Sequence, residues 1–308
     1  MTAPTFGTPT AQIERGEYGK PLIKVAPGSD EVVEYERASS YGKAIDNGAG
    51  LLYWAKCMVV KGAAMSPSIV KAAKPLDYYD GGKRGLAELA EKAMTLAGAS
   101  DKATEGTAMH SYTELIDQGK PLPDGLDEQT VRDLDAYRRV TAGLTYPAVE
   151  QFVVVDEVRA AGTFDRLVAV PDTDDWPAWL RGKTFIGDLK TGNVEYIASI
   201  LVQLALYSRG ATYDPATGER RRLDVDQNVG LVMSLPLGKG TAEIIAVDLN
   251  LGWAGVKAAE AARAFQSAAR FGCKSCDEGS GFYKNGRPCK SCKGVPRTPC
   301  GVTVKAAA

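Results

Sequence analysis

Residues 163–167, Thr-Phe-Asp-Arg-Leu, and residues 187–192, Gly-Asp-Leu-Lys-Thr-Gly, lie in two successive strand-like runs and carry Asp165, Asp188 and Lys190. Side chains alternate across a strand, so Asp188 and Lys190 project to one face and Leu189 to the other. Two carboxylates and an ammonium gathered at one sheet end suit a divalent cation, an anionic substrate and an activated water. An acidic-x-Lys triplet is a weak signal by itself. Its company gives it weight: Gly-Thr-Ala-Met-His (106–110) precedes it and Gln-Leu-Ala-Leu-Tyr (203–207) follows.

The pattern on either side assigns the fold class. Residues 1–40 are rich in Pro, Gly and Thr and are expected to form loops or short strands. Apolar spacing predicts a helix from about Ala44 to Lys61 and a second over 86–98, ending at Gly98. A third is expected from about Thr107 with Gly119 as its stop, and an amphipathic fourth over 127–143 closed by Gly143. From Tyr146 the chain turns β-rich, with strand-like runs at 149–158, 162–170 and 183–189. An apolar helix over 194–210, strands at 228–236 and 242–249, and a last helix from Gly252 to Phe271 complete the order. Helices, three strands, a helix, two strands and a helix fit an α/β or α+β core with a central mixed sheet flanked by helices. The expected parts are an N-terminal loop and helical region (1–100), a core (101–271) and a small Cys-rich C-terminal metal module (272–308).

The 308 residues suffice for a sizeable core, and 44% hydrophobic with 24% charged residues is ordinary for a globular protein. The N-terminus lacks a basic segment leading into an apolar one, and no run approaches the roughly 18 apolar residues of a membrane span. A cytoplasmic protein without a membrane partner is the expectation. A net charge of −1 excludes a surface coated with positive charge. It hides an asymmetry, however: residues 253–308 hold ten Lys/Arg against three Asp/Glu, a net +7 that leaves −8 for the rest. A basic C-terminal quarter points modestly to a polyanion, or else is a solvated tail.

His110 is the chain's single histidine. Gly106 and Ala108 keep its helix slim enough to approach a neighbouring strand, and Glu114, four residues on, shares its face. An imidazole with carboxylates makes a mixed N/O site compatible with Mn²⁺ or Mg²⁺. Gln203 and Tyr207, also four apart, face the same way. They are either an amide and phenol reaching an anionic substrate or a surface residue beside a core aromatic.

Taken together, Gly106-x-x-x-His110, Asp165, Asp188-x-Lys190 and Gln203-x-x-x-Tyr207 resemble the motif series of the PD-(D/E)XK nuclease superfamily. Within it they are most similar to the RecB-like exonuclease branch, which includes CRISPR-associated and phage recombination exonucleases. The resemblance covers roughly residues 106–210, with Phe164 in place of the family's proline and Asp188 in place of its commoner glutamate. It implies that His110, Asp165, Asp188 and the Leu189 carbonyl bind Mg²⁺ or Mn²⁺. Lys190 would orient or deprotonate the attacking water, and Gln203 and Tyr207 would hold the substrate backbone. The implied activity is metal-dependent hydrolysis of DNA, single-stranded or with free ends, in phage or bacterial recombination or replication. A phage-encoded protein would work in the host cytoplasm beside a recombination or replication partner. The alternative is a DNA-binding adaptor with a silent core and a tail that recruits such a partner.

Five of the six cysteines lie between Cys273 and Cys300. Cys273-x-x-Cys276 and Cys289-x-x-Cys292, twelve residues apart, have the spacing of a four-cysteine Zn²⁺ site. Lys274, Lys284, Arg287, Lys290, Lys293 and Arg297, with Phe282 and Tyr283 between them, suit backbone contact and base stacking. The family resemblance adds a second possibility, a [4Fe–4S] cluster on Cys57, Cys289, Cys292 and Cys300. Against it, Cys57 sits in an apolar helical run where a buried free thiol is expected.

Overall fold

A mixed sheet organises the chain, as seen in a computed structural model that describes residues 13–16, 18–46, 48–192, 194, 197–268 and 287. Its seven-strand path runs β10 (Glu243–Asp248), β9 (Val229–Ser234), β6 (Thr184–Lys190), β5 (Ala160–Ala169), β4 (Val149–Val155), β7 (Ala211–Tyr213) and β8 (Arg220–Arg222). The short β3 (Glu36–Arg37) adds to β5 in parallel as the eighth strand. β1 (Leu22–Lys24) and β2 (Val32–Glu34) form a separate antiparallel pair, so the loop-rich N-terminus does carry short strands.

The β-branched run of β4 turns back through Asp156–Val158 and pairs antiparallel with β5, which pairs antiparallel with β6. β6 then pairs in parallel with β9, a connection that needs a crossover. Helix α7 (Ala198–Ser208) lies within that crossover, and eight of its eleven residues are buried. Helix α8 (Leu249–Ala268) packs on α7 at Gly252, where an added Cβ would stand 2.4 Å from the Leu201 carbonyl oxygen.

Alternation along the strands divides the core. Ile186 and Val232 join Tyr207, Leu204 and Val256 on one face, together with Tyr41 of α1 (Ala38–Tyr41). Phe185, Leu189, Leu231 and Met233 pack on the other face. There they meet Met109 of α5 (Ala99–Asp117) and Leu134 and Tyr137 of α6 (Glu128–Val140). The expected mixed sheet flanked by helices is therefore present. Among the described residues no helix is long and apolar enough to cross a membrane.

Helices α2 (Ala49–Met65), α3 (Pro67–Ala73) and α4 (Lys83–Leu96) form a group beside this core. α2 crosses α4 at Gly62, where an added Cβ would fall 1.8 Å from the Ala93 oxygen. Most of α2 is open to solvent, including Leu51 at 70% and Tyr53 at 73% exposure.

Several boundaries differ from expectation. α2 begins at Ala49 rather than Ala44, because residues 42–44 form a 3-10 turn and Gly48 takes φ 61° before the helix. α5 begins at Ala99 rather than near Thr107, since residues 99–106 propagate a helix without showing an apolar stripe. The short strands β7 and β8 and helix α3 carry no pattern that announces them in the sequence.

Candidate active site

The pairing of β5 with β6 stops at Arg166 opposite Gly187, and the next residue on each strand is an aspartate, Asp165 and Asp188. Past that point the Asp165 side chain takes over from the ladder, its Oδ2 accepting the Leu189 N–H at 2.9 Å. Face alternation also breaks here. Phe164 meets Tyr207 edge-on at 6.3 Å on the α7 side, whereas Arg166 pairs with Asp117 of α5 on the other. On the third strand Glu150 lies opposite, between the Val149–Arg166 and Gln151–Phe164 pairs, with φ 51°. A left-handed residue inside a strand distorts the ladder and re-aims its neighbours.

Asp188 is all but sealed, its side chain 3% exposed, while Lys190 is 29% exposed and pairs with it through the ammonium. Apart from that contact, the buried Asp188 Oδ2 accepts no hydrogen bond. Burial pushes the Asp188 carboxyl up to about 6, the Asp165 charge adds to the rise, and Lys190 and Arg166 oppose it. Asp188 and Lys190 do share a face, with Leu189 packed in the opposite core as the alternation predicted.

His110 approaches from α5, its Nδ1 3.5 Å from Asp165 Oδ2. The approach depends on Gly106, where an added Cβ would stand 3.0 Å from the Thr191 hydroxyl at the end of β6. Burial holds the imidazole below its ordinary 6.5 and outweighs the pull of Asp165, with Arg166 and Lys190 acting in the same direction as burial. His110 is thus a neutral donor near pH 7.

A cleft of about 590 Å³ opens beside these groups, lined by Gly106, Thr107, His110, Ser111, Glu114, Glu150 and Thr191. Glu114 shares the His110 face as its spacing predicted, and burial raises its carboxyl. Glu150 was missed in the sequence. Burial, then the Asp165 and Glu114 charges, push its carboxyl up to about 7. The available signal was that it is the one charged residue in the apolar run 149–155.

Gln203 and Tyr207 do face the same way, and the Gln203 amide donates to the Tyr207 hydroxyl at 3.4 Å. Tyr207 itself is 2% exposed, a core aromatic whose hydroxyl would stand 2.8 Å from a Cβ added at Gly162. Of the two readings the sequence left open for this pair, its burial matches the core aromatic, set behind Gln203.

Among the described residues, no three His, Cys, Asp or Glu side chains are drawn together as a ready-made metal cage. The donor chemistry is nonetheless that of a hard divalent cation. It comprises a neutral imidazole, a carboxylate close to it and a buried carboxylate oxygen whose one polar contact is the Lys190 ammonium. Cys57 is exposed on α2, contrary to the buried thiol expected there. Cys273, Cys276, Cys289, Cys292 and Cys300 lie outside the described residues. Models of known protein families give no match to the chain, and neither do curated proteins.

Proposed function

We propose that the chain is a Mg²⁺- or Mn²⁺-dependent deoxyribonuclease of the PD-(D/E)XK superfamily, RecB-like branch, degrading DNA from its ends. The observation that carries the reading is the meeting of His110, Asp165, Asp188 and Lys190, from one helix and two strands, where β5 and β6 part. Their order in the sequence, with Gln203 and Tyr207 behind them, is the second support.

His110, Asp165, Asp188 and the Leu189 carbonyl would hold the metal. Bound there, it would polarise a phosphoryl oxygen and lower the pKa of a coordinated water. Lys190, tethered to Asp188 yet partly in solvent, orients the attacking water and offsets charge gathering on the phosphorus. Gln203, fixed by Tyr207, holds the substrate backbone. The ionised carboxylates at the site repel a phosphodiester, and a bound cation would offset that repulsion.

The cysteine-rich segment completes the proposal as a Zn²⁺ module on Cys273, Cys276, Cys289 and Cys292 that adds basic and aromatic contacts to DNA. A [4Fe–4S] cluster on Cys57, Cys289, Cys292 and Cys300 is the second reading. The exposure of Cys57 favours it, by removing the objection that this thiol is buried. The setting is the cytoplasm, beside other recombination or replication proteins.

The test uses purified full-length protein, Mn²⁺ and end-labelled single- and double-stranded DNA. Terminal nucleotides should be released by the wild type and not by Asp188→Ala or Lys190→Ala. Binding of DNA without cleavage in any metal would overturn the nuclease in favour of an adaptor.

A further inference from the structure

We infer that the buried group Asp117, Tyr137 and Arg166 is a positioning device that fixes Asp165 relative to the His110 segment of α5. The inference rests on the nuclease reading of that site and extends it to residues outside the motif series.

Arg166 and Asp117 pair at 2.6 Å with both side chains fully buried. The Tyr137 hydroxyl donates to Asp117 at 2.8 Å and also meets the Arg166 guanidinium. The other arm of the same guanidinium points at the Thr113 hydroxyl at 3.5 Å, and that hydroxyl donates to the His110 carbonyl at 2.9 Å. Asp117 and Thr113 are one helical turn apart on a single face of α5, so the guanidinium fork spans both. Arg166 is the residue after Asp165, and Thr113 comes three after His110. The network therefore joins the backbones that carry two of the proposed metal ligands.

Stability alone does not account for it. A buried ion pair is commonly replaceable by apolar residues of similar volume with no loss, and here the Arg166 Nε finds no partner at all. What the pair supplies is orientation. Arg166 is anchored to α5 and α6 on one side of the sheet and Phe164 to Tyr207 on the other. The backbone between them is turned so that Asp165 sits in the gap between β5 and β6. A lysine at 166 would keep the charge and lose the fork.

The discriminating variant replaces the whole group by apolar residues: Asp117→Leu, Tyr137→Phe and Arg166→Met together. Mn²⁺ binding to the full chain is followed by the electron paramagnetic resonance of free Mn²⁺, alongside melting temperature and DNA cleavage. Asp188→Ala marks the site. The expected result is a melting temperature like that of the wild type, with Mn²⁺ affinity at this site weaker by roughly 10–100-fold, as for loss of groups that orient ligands. A stable triple variant with wild-type Mn²⁺ affinity overturns the inference and leaves the nuclease reading standing. Should that variant not fold, Thr113→Val removes only the hydroxyl between Arg166 and His110. It should weaken Mn²⁺ binding several-fold at unchanged melting temperature, and wild-type affinity there is equally fatal. A wild type with no Mn²⁺ site sensitive to Asp188→Ala sinks the nuclease reading and this inference with it.

Discussion

Asp188→Asn should make the metal-free protein more stable while abolishing its activity. The Asp188 carboxyl rises from 3.8 to about 6 in the folded chain, chiefly through burial. Between those values the folded state holds a proton that the unfolded state has released. Stability is therefore complete below the unfolded value and is lost as pH rises through about 6. A rise of that size corresponds to about 3 kcal/mol at pH 7.5. With the side chain 3% exposed, water does little to screen that cost, and the attraction of Lys190 is already contained in it. Asparagine cannot ionise, though its buried amide forfeits about 1 kcal/mol for lack of partners.

The variant should thus gain about 2 kcal/mol at pH 7.5, which raises the melting temperature by roughly 3 °C for a chain of this length. At pH 4.5 most of the gain should be gone, since Asp188 is then protonated in the folded wild type. Thermal melts in EDTA at the two pH values measure the difference directly. Added Mn²⁺ should raise the wild-type melting temperature at pH 7.5 and leave the variant unmoved. A variant no more stable than the wild type at pH 7.5, or one equally stabilised at both pH values, would refute the account of Asp188 as a charge held at a cost.

Gly62→Val places a branched side chain where an added Cβ already falls 1.8 Å from the Ala93 oxygen. It should cost at least about 2 kcal/mol by melting and expose residues 49–96 to limited proteolysis. Gly106→Val should raise KM for DNA and weaken Mn²⁺ binding with little change in melting temperature. Its added bulk meets the Thr191 hydroxyl in the cleft wall rather than the core; wild-type KM and Mn²⁺ affinity would count against the cleft as the substrate site. Anaerobically purified protein should be colourless and contain zinc under the first reading of the cysteines. Under the second it should be brown, with absorption at roughly 400 nm that disappears in Cys57→Ser; colour that persists in that variant excludes Cys57 as a ligand.

Much of the core was legible because its signals are local. The run 149–155 is apolar apart from Glu150 and Gln151, four of its seven residues being valine, and the helix at 198–208 is apolar on nearly every side. Each therefore read as an element of the core, the first as a strand and the second as a helix. The spacing of Asp188 and Lys190 fixed their common side, as that of His110 and Glu114 did on α5. Spacing also placed Tyr207 beside Gln203, yet a period of four residues says which side chains share a face and not whether that face looks inward. The β7–β8 hairpin escaped notice because three-residue strands reading Ala-Thr-Tyr and Arg-Arg-Arg carry no alternation. Glu150 and the Asp117–Arg166 pair were illegible for a different reason. Their meaning lies in contacts between residues 15 to 49 positions apart, and no spacing rule reaches that far.

Along β4, β6 and β9 pattern and structure agree over most of each strand; around Asp165 in β5 they part company several times within a few residues. Face alternation fails between Phe164 and Arg166, Glu150 adopts φ 51° inside a strand, and Asp188 is buried with an oxygen whose one polar contact is the Lys190 ammonium. Each departure is unfavourable on its own, and a chain selected for stability alone would remove them with alanine, valine or asparagine. They share one consequence, the separation of β5 from β6 just where both strands carry carboxylates. A continued ladder would have used the Leu189 N–H in ordinary pairing and left Asp165 pointing along the sheet face. Parting the strands turns that carboxylate edgewise, toward Asp188 on one side and His110 on the other. The strain and the proposed chemistry thus have a single structural origin, so relieving the one by mutation should disable the other.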